Sequence, residues 1–167
     1  MIYLDELISD PAQLREAFRC FPSGVAAICA TAGGKPTGMA VSSFTAVSIK
    51  PPLVSVCIQD SSSTWSQLRE CPRLGLSILA EGHDETCLSL SRKKGDRFSA
   101  VKWEACPDGG VFIHDSALWL DCEVYEEVSA GDHVIVLLRI KRLRPNSSVS
   151  PLVYYDSRFR RLDLMAS

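Results

Sequence analysis

Apolar positions along the chain follow two different spacings. Leu14, Ala17, Phe18 and Phe21 recur at helical intervals, which predicts a helix over about residues 10–21 with one buried stripe. Asp10 is placed to cap it, and Pro11 suits its first turn. Pro22-Ser23-Gly24 ends it, and the pattern then becomes that of strands. Val25 to Thr31, Gly38 to Phe44, Leu53 to Ile58 and Leu74 to Leu79 are short apolar or β-branched runs. Gly33-Gly34-Lys35-Pro36 is turn chemistry between the first two. Pro51-Pro52 bars both a helix and a central strand. Trp65, Leu68 and Cys71 mark one face of a short amphipathic segment, and Glu85 to Arg92 reads as another short helix. Two long runs, Leu118 to Glu127 and His133 to Leu143, flank the hairpin signal Ser129-Ala130-Gly131-Asp132. Val153-Tyr154-Tyr155 is a last strand, continued by Arg158 to Leu162 past a turn at Asp156-Ser157. About seven strands with a few short helices predict a mainly β, barrel-like domain, the barrel running from about 25 to 162. No regular helices separate the strands, so a doubly wound sheet is excluded.

Composition narrows the function. The 167 residues fit a single domain over 1–167, and 46% hydrophobic with 23% charged residues excludes a disordered chain or a coiled coil. Eighteen Lys+Arg against 20 Asp+Glu leave a net charge of -2, so no general attraction to nucleic acid is expected. The seven cysteines contain no C-x-x-C pair and are odd in number. Cys29, Cys57 and Cys122 lie in apolar runs, as free thiols do, which points to a reducing, cytoplasmic setting. The N-terminus is acidic and lacks a signal-peptide pattern, and no run approaches the ~18 apolar residues of a membrane span.

The usual catalytic signatures are absent: there is no G-x-S-x-G, H-E-x-x-H, P-loop or G-x-G-x-x-G. Three scattered histidines, His83, His114 and His133, suggest no metal site. A chain so poor in acid–base groups must take its reactivity from a cofactor. Three segments suit one. Gly38 to Ser48, rich in small and hydroxyl residues, lets backbone approach a flat ring; it also reads as a polar edge strand. Ser61-Ser62-Ser63-Thr64 before Trp65 offers hydroxyls and amides to a phosphate; it also reads as a plain helix cap. Arg92-Lys93-Lys94-Gly95-Asp96-Arg97-Phe98 could close over a phosphate, and it also reads as a solvated loop.

The order of these and other segments resembles the flavin reductase family, FMN-binding split-barrel proteins that supply reduced flavin to two-component monooxygenases. Phe21-Pro22-Ser23-Gly24-Val25, Gly38-Met39-Ala40-Val41-Ser42-Ser43-Phe44, Pro51-Pro52-Leu53-Val54, Ser63-Thr64-Trp65, Asp96-Arg97-Phe98, Gly131-Asp132-His133 and Pro151-Leu152-Val153-Tyr154-Tyr155 are in register with it, over about Leu14 to Leu162. The resemblance implies flavin binding, FMN or FAD, along Thr37, Gly38, Met39, Ala40, Ser42 and Ser43, with Cys57, Ile58 and Gln59 on a facing strand. It implies a phosphate seat at Ser63 and Thr64, with Ser91 and Arg92 as further candidates. It places His133 as the catalytic-site residue beside the nicotinamide of NADH or NADPH, with Tyr155 and Arg158 nearby. A homodimer and a partner monooxygenase follow from the same likeness. The sequence departs from the family where Ser77 replaces a common Asn, and over residues 88–97. Two other readings of the barrel are a non-catalytic flavin- or haem-binding protein and a pyridoxamine-phosphate-oxidase-like enzyme.

Overall fold

Every residue from Val25 to Ala30 is buried, so this stretch can only be a strand with packing on both faces. In the computed structural model, which describes residues 1–3 and 10–162, it forms most of β2 (Ala26–Ala32). Before it lie α1 (Pro11–Phe18) and the short β1 (Ser23–Gly24). After it come β3 (Lys35–Val41), β4 (Thr45–Ser48), β5 (Leu53–Gln59), α2 (Ser63–Leu68), β6 (Leu74–Ile78) and α3 (Asp84–Leu90). The chain continues through β7 (Trp103–Ala105), β8 (Val111–Ile113), β9 (Leu118–Ala130), β10 (His133–Pro145), β11 (Val153–Tyr155) and β12 (Arg158–Arg160).

Seven strands make one antiparallel sheet in the order β3-β2-β6-β9-β10-β5-β4. It curls on itself: Ile28, Val56, Leu76, Leu120 and Val136 meet in one core with Trp65 and Leu68 of α2. The seam falls between the edge strands β3 and β4. The other face of β2 presents Ala27 and Cys29, with Val25 just before it, to a second core containing Leu90, Phe98, Val111 and Leu152. Burial pushes the Cys29 thiol up to about 12, which makes it a packing group rather than a nucleophile.

Several expectations need correction. The α1 stripe is not buried: Phe18 is 70% and Phe21 78% exposed, and Leu14 and Ala17 are exposed too. Helical periodicity reports an apolar face, not what covers it. The Asp10 cap does form, accepting from the Ala12 N–H at 2.8 Å, but the helix stops at Phe18. Gly33 and Gly34, at φ +58° and +78°, make the whole β2–β3 turn. Lys35 and Pro36 therefore begin β3, whose edge position tolerates the proline. The small β7–β8 ladder had no sequence signal. Ser77, the departure from the family's Asn, is buried and accepts the Ile113 N–H at 3.0 Å.

The β9–β10 hairpin is clamped at its stem. Asp121 on β9 is 5% exposed and pairs with Arg142 across the ladder. Its carboxylate accepts from Arg73 Nε at 3.0 Å and Arg142 Nε at 2.5 Å, and Arg73 Nη2 makes a further bond. Burial raises the Asp121 pKa, but the two guanidinium groups more than offset this and hold it below the usual carboxylate range. A folded-state value below the unfolded ~3.9 means stability that is present above that pH and lost as pH falls through the folded value. Asp121→Asn is expected to cost about 1.5–3 kcal/mol at neutral pH, most of it from Arg73, since the Arg142 side chain is 57% exposed. Urea unfolding reads this, and the gap to the unsubstituted protein should close below about pH 4. A gap independent of pH would refute the ionic origin.

Candidate functional site

The antiparallel pairing of β10 with β5 sets His133 directly opposite Gln59. The Asp60 N–H donates to the Asp132 carbonyl at 3.1 Å, tying the end of β5 to the hairpin turn. Beside this junction opens a cleft of about 340 Å³. Met39, Ala40 and Ser42 form one wall, Cys57, Ile58 and Gln59 the other, and His133 stands at the rim. Ser43 and Ser62 also border it.

Ser43 has a different task from the one its composition suggested. Its hydroxyl accepts from the Cys57 N–H at 2.8 Å and donates to the Cys57 carbonyl at 2.9 Å. β4 pairs with β5 only as far as Ser55, so one serine side chain replaces the missing strand for Cys57. The hydroxyl shapes the cleft wall and is already committed. His133 is held by its neighbour, with Nδ1 2.6 Å from Asp132 Oδ1. That hydrogen bond keeps the Asp132 carboxyl below its ordinary range. A carboxylate only accepts, so Nδ1 carries a proton and Nε2 lies outside the pair.

A second cluster lies beside Gly38, midway along β3. The N-cap of α2 is Ser62, whose Oγ accepts the Trp65 N–H at 3.2 Å, so Ser63 and Thr64 are the first helical residues. Thr64 is 9% exposed, and its Oγ1 accepts from Arg97 Nη1 at 2.9 Å. The same nitrogen donates to the Gly38 carbonyl at 2.8 Å, and Arg97 Nε donates to the Arg92 carbonyl at 2.6 Å. One guanidinium thus joins β3, α2 and the basic loop. The sequence offers Arg97 only as one residue of a basic segment that could close over a phosphate, and gives it no role of its own. Phe98 is buried and Asp96 Oδ1 accepts its N–H at 2.9 Å, which anchors the loop where Arg97 leaves it.

Other candidates stand apart. Ser91 turns its hydroxyl back to the Cys87 carbonyl at 2.8 Å, and Arg92 gives this cluster its carbonyl while its side chain is exposed. Thr37 sits on β3 opposite Ala30 and does not line the cleft. Gly38 is buried because nothing larger fits: a Cβ there would lie 2.4 Å from Cys29 Sγ. Tyr155 belongs to a separate three-stranded sheet, β1-β11-β12, opposite Arg158, away from the cleft lining. A groove of about 460 Å³ at the hairpin stem is lined by Phe112, Trp119 and Arg144 among others, but its Asp121 and Arg142 are spent on each other. Among the described residues no cluster of His, Cys, Asp or Glu could hold a metal ion, and no helix is long and apolar enough to cross a membrane.

Residues 18–163 match the flavin reductase like domain. The chain belongs to that family. It is 36% identical over 148 residues to a probable flavin reductase of Rhizobium meliloti (strain 1021), covering 88% of this chain and 47% of that protein. It is 34% identical over 148 residues to the reductase subunit of a stachydrine N-demethylase from the same strain, covering 88% and 64%. The chain therefore spans about half to two thirds of these two relatives' length. Among solved structures, an NADH:FAD oxidoreductase of Streptomyces globisporus C-1027, in complex with NAD and FAD fragments, superposes with a TM-score of 0.90 at 29% identity, covering 98% of this chain and all of that one. The curled sheet with its open seam is the split barrel of the flavin reductases.

Proposed function

We propose that the chain is an NAD(P)H:flavin oxidoreductase, moving a hydride from NADH or NADPH to FMN or FAD, with the reduced flavin consumed by a partner flavin-dependent monooxygenase. The layout of β3 carries this reading. Its Met39 and Ala40, with Ser42 just past its end, border the cleft, while its Gly38 carbonyl meets Arg97 beside Thr64. From Gly38 to Ser42 a strand rises about 13 Å at ~3.3 Å per residue, the scale of a flat three-ring system with a five-carbon chain and a phosphate.

The donor set suits that ligand. Small side chains on β3 allow close stacking, and Ser42 and Gln59 offer polar groups to a ring edge. Thr64 Oγ1 accepts from Arg97, so its own proton is left for a phosphate oxygen, and the guanidinium neutralises the charge. Ser63 adds a hydroxyl alongside. A flavin bound here supplies the hydride acceptor. The chain's own task is to hold two rings at about 3–3.5 Å and to set dipoles against the growing charge. No residue must donate a proton, which accounts for the absence of a catalytic acid. His133, with Nε2 outside its bond to Asp132, orients the nicotinamide carboxamide or the cofactor's pyrophosphate. A relative that is itself a reductase subunit supports a separate enzyme as consumer of the reduced flavin. A homodimer is supported by Phe18, Phe21 and Ile49, which one copy leaves 70–87% exposed.

Mixed with flavin and NADH or NADPH, the protein should consume the nicotinamide absorbance. Flavin binding without that loss would leave a non-catalytic binding module. Thr64→Val should weaken FMN about tenfold, a loss of ~1.4 kcal/mol, and leave riboflavin nearly unchanged; equal losses would reduce Thr64 to a helix residue. His133→Ala should raise the KM for NADH or slow flavin reduction in stopped flow. Its flavin Kd should stay within about twofold, below ~0.5 kcal/mol, and unchanged reduction kinetics would remove His133 from the site.

A further inference from the structure

The six-residue α2 is too short to hold its shape or place unaided. Two of its residues reach one carboxylate on the hairpin. Trp65, 3% exposed, donates its indole N–H to Glu127 Oε1 at 3.0 Å. Arg69, the C-cap of the helix, pairs with Oε2. Glu127 lies on β9 opposite Val136 of β10, in the ladder whose turn delivers His133. Its side chain is 19% exposed, so the indole bond lies largely out of water, while the Arg69 side chain is 48% exposed and closes the pair from the solvent side.

We infer that Glu127 is a positioning residue that fixes Thr64, and with it the Arg97–Thr64 phosphate seat, against the hairpin bearing His133. This rests on the flavin reading above. Thr64 precedes Trp65 in the chain, so the indole bond sets where the threonine hydroxyl stands relative to Arg97. Without Glu127 a buried indole N–H has no acceptor, and burial makes an orphaned donor unfavourable. The helix start must then shift until the N–H finds water. Only a carboxylate offers separate oxygens to Trp65 and Arg69, and Arg69 also neutralises a charge that would repel a phosphate nearby. The two ends of the cleft are thereby held by one hairpin, and a shift of about 1 Å in such a site can change a rate a hundredfold.

The test uses the full chain, with FMN and riboflavin titrated separately by flavin fluorescence and thermal unfolding recorded alongside. Glu127→Leu should weaken FMN about tenfold and riboflavin less than twofold. Glu127→Gln, which keeps a carbonyl oxygen for the indole, should restore most of the FMN affinity. Should Glu127→Leu fail to fold, Glu127→Met, which leaves the indole N–H equally without its carboxylate acceptor in a side chain of similar length, should show the same selective loss. A folded variant with a lowered melting temperature but an unchanged FMN-to-riboflavin ratio would make Glu127 a stabilising residue only and overturn the inference. Thr64→Val separates the two readings. If it fails to discriminate the flavins, the phosphate seat itself is misplaced; if it succeeds while the Glu127 variants do not, only the positioning role falls.

Discussion

β2 has no face toward solvent, and most of the architecture follows from satisfying both of its sides. Ala26, Ile28 and Ala30 fill the barrel; Val25, Ala27 and Cys29 carry the layer outside it. Neighbouring backbone must come close for the outer layer to pack. A Cβ on Gly75 would lie 2.1 Å from the Val111 carbonyl oxygen, so the bare glycine admits β8 to the back of β6. The outer core also contains Phe98, whose preceding residue is Arg97. A packing constraint that begins in β2 therefore ends by placing a guanidinium at Thr64.

The candidate site divides its work between packing and polarity. Its walls are built from groups already satisfied, such as the Ser43 hydroxyl on the Cys57 backbone. Its ends carry the polar groups with capacity to spare, Arg97 with Thr64 at one and His133 at the other. Such an arrangement suits the proposed role, in which the chain binds and aligns a cofactor and the cofactor carries the bond-making.

How much of this could be read from the sequence depended on the range of the interaction. The strands were legible because burial on one or both faces writes itself into runs such as Val25 to Thr31 and Leu53 to Ile58. The cap at Asp10 and the hairpin around Gly131 were legible because capping and positive φ are local demands. The cleft residues came from a family likeness, and the geometry gathers Met39, Ala40, Ser42, Cys57, Ile58, Gln59 and His133 together. What escaped was long-range. Arg97 reaches Gly38 and Thr64 through side-chain bonds that leave no periodicity, and the spent hydroxyl of Ser43 looks the same in sequence as a free one. The exposure of α1 escaped because an amphipathic pattern is identical whether its cover is the same chain or another.

The long hairpin is fastened unevenly along its length. Arg73 and Arg142 grip it at Asp121 near the stem, and Trp65 and Arg69 grip it at Glu127. Beyond Glu127, among the described residues, it is held by ladder bonds, by Val134 against the core and by the tie from Asp60 to Asp132. Opening fluctuations should therefore begin on the β9 side of the turn, where β9 past Cys122 pairs with β10 alone, and die out toward the stem, as a plank bends most beyond its last support. Amide hydrogens near His133 would exchange with solvent through small local openings, while those around Cys122 and Ile140 would wait for the barrel to come apart. His133, proposed above to meet the nicotinamide, would thus ride on the part of the sheet best able to yield to it.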